Sequence, residues 1–498
     1  MLLAMGRCLI ILASVRLAVG PVIHAAEPLQ AGVAEADITP PQGFLMAGYY
    51  HERQATGTID PLKAKAIVLR SGKQQTAIVV CDLTGIAVDL STEVRRRASA
   101  KTGIPAHHIV VSATHSHTAP DYTRDLYEHL GGKEAEKPRY AAKLIDGIVE
   151  AITKAHSSTR PVVLECGAAR QETPVSFNRR FVMRDGSVKT WMRLDNPEVV
   201  RPAGPIDPEA GIVLVRAADT KKPIGVFSSF ALHLDTVGGT LWSADYPYFI
   251  GKEVQKALGS DVVSIFGTGC CGDINHVDPI RKDRNKTDVI GGALGKTIVA
   301  NLPKLRPAKQ TELRVRHTTV KLLLQHVSTE QIARARPLLL EAREGKKVEF
   351  FDLVNAYKAV VLDQLRNKKP QTIPSDVINW GLSRTWAGVG DHLPVDVQAI
   401  ALGDEVGIVC LPGEIFVELG LAIKQASPFK TTLVVELSNA VETMYVPTRA
   451  AYAGGSYEVT NSAVEAGSGE MLVEAAIRLL REMAKEQVES PKAGASQQ

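Results

Sequence analysis

Several strand-like runs in this sequence end in side chains that can hold a metal or move a proton. THSHTAPD, residues 114–121, places His115 and His117 two positions apart at the end of the run HIVVSA. On an extended backbone that spacing turns both imidazoles to one side. His233 closes the apolar run GVFSSFAL before the polar turn DTVGG, and Glu414 sits at the tip of the Pro-Gly turn that follows GIVC. Taken singly, each reads as a solvated loop histidine or a hydrogen-bonded edge residue. Taken together, imidazoles and a carboxylate at three strand ends make the ligand set of a catalytic zinc that keeps one position open for water. Zinc converts such water into a nucleophile at neutral pH. A fourth stretch, YVPTRAAYAGGSYE at 445–458, groups Tyr445, Tyr452 and Tyr457 around a glycine pair. Phenols in a loop pack, bind sugars or lipids, ligate zinc, or donate a hydrogen bond to a developing oxyanion. A fifth, GTGCCGDINH at 267–276, sets Cys270 beside Cys271. Those two thiols can bind metal, attack a substrate, pair with each other or fill space.

Most of the chain alternates short β-branched runs with helical patterns, as a fold that positions such residues would. AKAIVLR, TAIVVCD and VVSIF read as buried strands, and STEVRRRASAKTG as a helix opened by a Ser/Thr cap. YAAKLIDGIVEAITKAH, IFVELGLAIKQ and GEMLVEAAIRLLREMAKEQ read as further helices. GIVLVRAAD with PIGVFSSFALH, and VQAIALGDEVGIVCLPGE, have the pattern of hairpins. The expected fold is α/β: a layered domain with mixed β-sheets flanked by helices, and the site at the strand ends. Residues 326–395 carry helical periodicity followed by the linker KPQTIPSD, and are expected to form a helical insertion over the main domain.

The whole-chain features bound the function. In 498 residues, 45% are apolar and 22% charged, and the net charge is only +4, so nothing points to nucleic acid. Residues 1–26 have an early Arg7, an apolar stretch and small residues at Ala25 and Ala26, the layout of a secretory signal peptide. The main domain is then expected over 27–487 with a disordered tail at 488–498, in a secreted or periplasmic protein. No later apolar run is long enough to span a membrane. Without Cys8 the cysteines number five and lack regular spacing, which is not a disulfide framework.

With these segments in order, the chain resembles the neutral/alkaline non-lysosomal ceramidase family, in its catalytic N-terminal domain. The resemblance rests on ADITPPQGFLMAGYYHERQATGTIDPLKAKAIVL, SATHSHTAPD, SFNRR, FALHLD, GTGCCGDIN, LPGEIF and YVPTRAAYAGGSYE, spread over roughly residues 30–480. It implies Zn2+ held by His115, His233, Glu414 and Tyr445, with His117 as general acid/base beside it. Tyr457 and Arg179 would polarise or hold the substrate carbonyl. The implied reaction is hydrolysis of an N-acyl amide, with zinc activating water, His117 shuttling protons and Tyr457 steadying the oxyanion. The substrate would be a small amphiphilic or N-acylated molecule. Two features depart from the family's pattern. Its Gly-Asp loop carries a serine where this chain has Gly269, which favours water as nucleophile. Its ceramidases continue into a β-sandwich domain, whereas this sequence stops soon after the catalytic segment. Both bear on ceramide itself more than on zinc hydrolysis. A zinc hydrolase or lyase acting on carbohydrate, and an inactive binding protein, are the readings left beside it. In the Gly-Asp loop, Gly267, Gly269 and Gly272 would let the backbone approach the substrate, and Asp273 would orient a ligand. Cys270 is expected to pack, with a displaced nucleophile as the alternative.

Overall fold

The computed structural model describes residues 28–135, 138–281, 284–308 and 312–489; the leader and most of the tail inferred above lie outside them. Eight strands dominate the larger sheet: β1 Gln30–Asp37, β2 Lys63–Ser71, β3 Gln74–Cys81, β4 Ile109–Ala113, β5 Arg160–Arg170, β6 Glu209–Ala217, β7 Pro223–Phe230 and β8 Val263–Thr268. Their spatial order is β8-β7-β6-β5-β1-β2-β3-β4, and the two-residue strand Arg306–Pro307 adds on to β5. A second sheet orders β9 Leu313–Leu323, β10 His392–Leu402, β11 Val406–Cys410 and β12 Thr431–Val435 side by side. The two expected hairpins form, β6 with β7 and β10 with β11, both antiparallel.

The sheets pack face to face. Ile67, Leu69, Ile78, Val80, Val213 and Val215 of the larger sheet share one core with Val315, Ile400, Ile408, Leu433 and Val435 of the smaller. The alternate residues of β2, Ala64, Ala66 and Val68, turn to the opposite face and meet the helix Tyr140–Ser157 through Leu144, Ile145 and Ile148. Burial on both faces explains why these strands read as continuous apolar runs. Helices Tyr246–Leu258 and Thr287–Asn301 cover the other half of that face. Helices Thr329–Arg343, Phe350–Arg366, Val417–Ala426 and Ser468–Glu489 cover the outside of the smaller sheet. The result is a four-layer sandwich, helix, sheet, sheet, helix, as the layered α/β expectation required. No described helix is long and apolar enough to cross a membrane.

Three local expectations change. The helix expected to open at a Ser/Thr cap begins earlier, at Val88, after Ala87 with no side-chain cap of its own. Its acceptor comes from across the fold: the Val88 N–H donates to Glu442 Oε1 at 2.8 Å, while Ser91 turns back to Val88 O. The tyrosine-rich stretch forms two short helical turns, Arg449–Gly454 and Tyr457–Thr460. His115 and His117 follow a strand that has already ended at Ala113, and His115 has φ +78°. Their side chains converge through that left-handed turn and not through strand alternation. A non-glycine residue pays for such a conformation and keeps it only where the surroundings enforce it.

Candidate metal centre and active site

Three pairs of strands in the sandwich are parallel: β3 with β4, β7 with β8, and β11 with β12. Their C-terminal ends lie together, because the chain stitches them across the two sheets. Thr114 N donates to Cys81 O, Thr268 Oγ1 to Thr114 O at 2.7 Å, and Glu436 N to Thr268 O at 2.9 Å. His115 leaves β4, His233 leaves β7, Glu414 leaves β11, and the cysteine loop leaves β8. Residues 299 positions apart in sequence, His115 and Glu414, are thereby brought to one point.

The side chains meet through one atom each. His115 Nε2 lies 3.0 Å from His233 Nε2, 3.3 Å from His117 Nε2 and 3.4 Å from Glu414 Oε2. Glu414 Oε2 is 3.6 Å from His233 Nε2. Among the described residues, His115, His117 and His233 form a group whose ligand atoms all lie within 4.8 Å of one another. The His115 and His233 contact cannot be an ordinary hydrogen bond. Each ring gives its Nδ1–H to a backbone carbonyl, His115 to Thr84 O at 2.6 Å and His233 to Cys271 O at 3.1 Å. Both Nε2 atoms therefore present lone pairs to each other, a tautomer assignment made from the network. Glu414 Oε2 is buried and has no hydrogen-bond donor. Facing lone pairs beside an orphaned carboxylate oxygen are what a divalent cation would satisfy. A tetrahedron with Zn–N bonds of about 2.0–2.1 Å has edges of about 3.3 Å, close to the separations observed. Burial, reinforced by the neighbouring imidazoles and Arg179, pushes His117 and His233 well below the usual imidazole range, so both rings are neutral as metal ligation requires.

Tyr445 stands beside Glu414 because Glu414–Ile415 and Tyr445–Val446 pair as a short parallel ladder. Burial pushes its phenol far up, with the Glu414 carboxylate adding to the shift, so it is a neutral donor. Arg179 is fully enclosed: Nε donates to Glu458 Oε1 at 2.8 Å, and Nη2 to Gly272 O at 2.8 Å and Tyr445 Oη at 3.0 Å. Its Nη1 is 3.4 Å from His233 Nε2. Arg179 thus stands behind Tyr445 and His233 and is not among the cavity-lining residues. Tyr457 does line the cavity, and its hydroxyl accepts from Asn461 Nδ2 at 3.2 Å.

The cavity holds about 470 Å3. His115, His117, Glu414, Tyr445 and Tyr457 form one end. Met46, Leu339, Leu353, Ile378, Trp380 and Met444 supply apolar wall. Four of these six come from the helical stretch read from the sequence as an insertion, so that stretch builds the wall of the site.

The cysteine loop takes a supporting part. Cys271 O anchors His233, and Cys271 Sγ donates to Glu436 Oε1 at 3.0 Å. Cys270 belongs to the core on the far side of the smaller sheet and Cys271 to the core under the larger, so the two thiols face apart. Both are free and buried, and burial pushes both thiols well above their usual range. The loop glycines meet protein and not substrate: a Cβ at Gly269 would lie 3.0 Å from Phe230 C, and one at Gly272 2.7 Å from Glu414 O. A serine at Gly269 would press on that backbone. Asp273 orients no imidazole; it accepts from Asn178 Nδ2 at 2.7 Å and Val417 N at 2.9 Å, while Asp273 O holds Arg179 N. Sequence reading passed over Thr84, Asp235, Glu436 and Glu458. Glu436 had a usable signal, a carboxylate straight after the buried strand TTLVV, the same pattern that singled out Glu414.

Comparison with known proteins agrees with this architecture. Residues 29–245 match the family model described as neutral/alkaline non-lysosomal ceramidase, N-terminal. A neutral ceramidase of Mycobacterium tuberculosis (strain ATCC 25618 / H37Rv) is 26% identical over 248 residues, which is 46% of this chain and 36% of that protein's length. The crystal structure of neutral ceramidase from Pseudomonas aeruginosa superposes with a TM-score of 0.66 at 20% identity, covering 92% of this chain and 75% of that one. A ceramidase structure described as complexed with C2 gives 0.65 at 18% identity, covering 92% and 76%. The fold is that of the neutral ceramidases across nearly the whole chain.

Proposed function

From the match to the neutral/alkaline non-lysosomal ceramidase family, we propose that this chain is a zinc-dependent hydrolase of N-acyl amide bonds whose substrate carries an apolar acyl chain. The observation that carries it is the converging, unsatisfied donor set in a cavity whose lining joins the apolar Leu339, Leu353, Ile378 and Trp380 to the polar Glu52, Asp121 and Arg343. His115, His233, Glu414 and Tyr445 would hold the ion, with His117 beside it. When bound, zinc supplies a Lewis acid that activates water and polarises a carbonyl at neutral pH.

The chain's own groups do the rest. The wall from Leu339 to Trp380 takes the acyl chain out of water and directs the amide toward His117. His117 takes a proton at Nε2 during attack and returns it to the departing amine. Tyr457, whose phenol burial pushes up to about 12, stays a neutral donor for the oxyanion. Arg179 fixes Tyr445 and His233 from behind. The leader read at residues 1–26 assigns the enzyme to a secreted or periplasmic setting.

The test is purified protein analysed for metal and assayed for fatty-acid release from ceramide and from N-acyl sugars. Stoichiometric zinc with release from ceramide is the expected result. Full zinc loading with no cleavage of either amide would sink the amidase reading, and cleavage of the sugar alone would move the substrate to carbohydrate. Protein that takes up no zinc would favour a binding role.

A further inference from the structure

The three imidazoles converge alike through Nε2 but differ at Nδ1. His115 and His233 each give Nδ1–H to a backbone carbonyl. His117 has no such partner; its Nδ1 is buried without a hydrogen bond. The group it faces is a carboxylate, Asp235 Oδ1, 3.8 Å away. Hydrogen bonds of catalytic groups are commonly long before substrate binds and tighten in the complex.

The surroundings hold Asp235 against that ring. His117 N donates to Leu234 O at 3.0 Å, tying the two segments together one residue from Asp235. Arg53 Nη2 donates to His117 O at 2.7 Å and its Nη1 to Gly239 O at 2.8 Å, bridging the same segments again. Asp245, buried, accepts Thr236 N and Val237 N on Oδ2 at 3.0 and 3.2 Å, which fixes the turn immediately after Asp235. Tyr49 Oη donates to Asp235 Oδ1, its ring edge-on to His117 at 5.6 Å between centroids. Arg53 lies over that ring at 4.1 Å. Arg284 Nη2 reaches Asp235 Oδ2 at 3.8 Å.

We propose that Asp235 is the positioning residue for His117, accepting its Nδ1–H so that Nε2 keeps its lone pair turned to the reacting centre. The inference rests on the reading of the site as an amide hydrolase for its kinetic consequence, but not for its structural one. A neutral carbonyl partner fixes a ring that only binds; a carboxylate partner fixes the tautomer and also favours the ring while it carries a proton. Asp235 therefore marks His117 out, among three similar histidines, as the one that moves protons.

The experiment compares wild type with Asp235→Asn, Asp235→Ala and Asp235→Glu as zinc-loaded full chains. Asparagine and alanine should lower kcat by about 10- to 100-fold, the cost typical of losing such an outer partner. KM should stay within about twofold and zinc content unchanged, with glutamate restoring part of kcat. Nitrogen-15 NMR of labelled histidine should place the His117 proton on Nδ1 in wild type and show that preference lost in Asp235→Asn. An unchanged kcat, a loss of zinc equal to the loss of activity, or an unaltered His117 tautomer would each overturn the assignment. If wild type cleaves no amide, the functional reading fails while the NMR comparison still decides the Asp235 contact.

Discussion

Glu458→Gln tests whether the site's scaffold depends on charge or only on shape. Glu458 is wholly buried and lies between two guanidiniums that are each 5% exposed, 2.8 Å from Arg179 Nε and 3.4 Å from Arg180 Nε. Its Oε2 also accepts from Thr190 Oγ1 at 2.8 Å. Glutamine keeps the volume and one acceptor, and removes the carboxylate charge that two enclosed cations share. A unit charge pair about 4 Å apart at an effective dielectric of about 20 is worth about 4 kcal/mol, and removing one member of a buried pair typically costs about 3–5 kcal/mol. A loss of about 3–5 kcal/mol is therefore expected from urea unfolding followed by tryptophan fluorescence. Activity should fall as well, because Arg179 holds Tyr445 and Gly272 in place. Replacing all three members, Arg179→Met and Arg180→Met with Glu458→Leu, should recover much of the stability without recovering activity, since apolar groups need no counterion. A Glu458→Gln protein within about 1 kcal/mol of wild type would show that the enclosed cations find compensation elsewhere, and the electrostatic account of the scaffold would be wrong.

Three further outcomes follow from particular side chains. Leu339→Trp narrows the cavity wall contributed by Thr329–Arg343 and should shift cleavage toward shorter acyl chains, read as the ratio of kcat/KM for short and long substrates; an unchanged ratio would remove that wall from substrate binding. His276 is buried, accepts from Arg284 Nε at 3.1 Å and is held by burial at about 4, whereas an unfolded histidine titrates near 6.5. The unfolded chain then binds the extra proton between those values, so this group's stability falls as pH drops from about 6.5 to 4, by up to about 3 kcal/mol. His276→Gln should flatten that part of the urea-midpoint profile, and parallel profiles would refute it. Cys270→Ser buries a hydroxyl against Gly420 and should cost about 1–3 kcal/mol of stability while leaving kcat/KM unchanged. Abolished turnover together with alkylation of the native thiol would instead make Cys270 the nucleophile.

Strand and helix identity was readable wherever both faces of an element are buried or one face repeats at helical spacing. Lys63–Ser71, Val263–Thr268 and Tyr140–Ser157 are of this kind. What failed locally failed for tertiary reasons. Nothing near Val88 announces a helix start, because its capping acceptor is Glu442, far along the chain. The H-x-H spacing suggests convergence by strand alternation, whereas the two rings converge through the left-handed turn at His115.

The sequence by itself determined the chemistry on offer, because donor types are fixed residue by residue: imidazoles at His115, His117 and His233, a carboxylate at Glu414, phenols at Tyr445 and Tyr457. It also determined that strands would deliver them, since apolar runs lead straight into most of these positions. Only the tertiary structure decided which donors meet, which way each ring is turned and what faces its second nitrogen. Those depend on contacts between residues distant in the chain, on Thr84 and Cys271 carbonyls for two histidines and on Asp235 for the third. The paired cysteines show the same division. Their adjacency left metal binding, attack, pairing and packing open, with packing expected, and the two sheets turn one thiol into each of two separate cores.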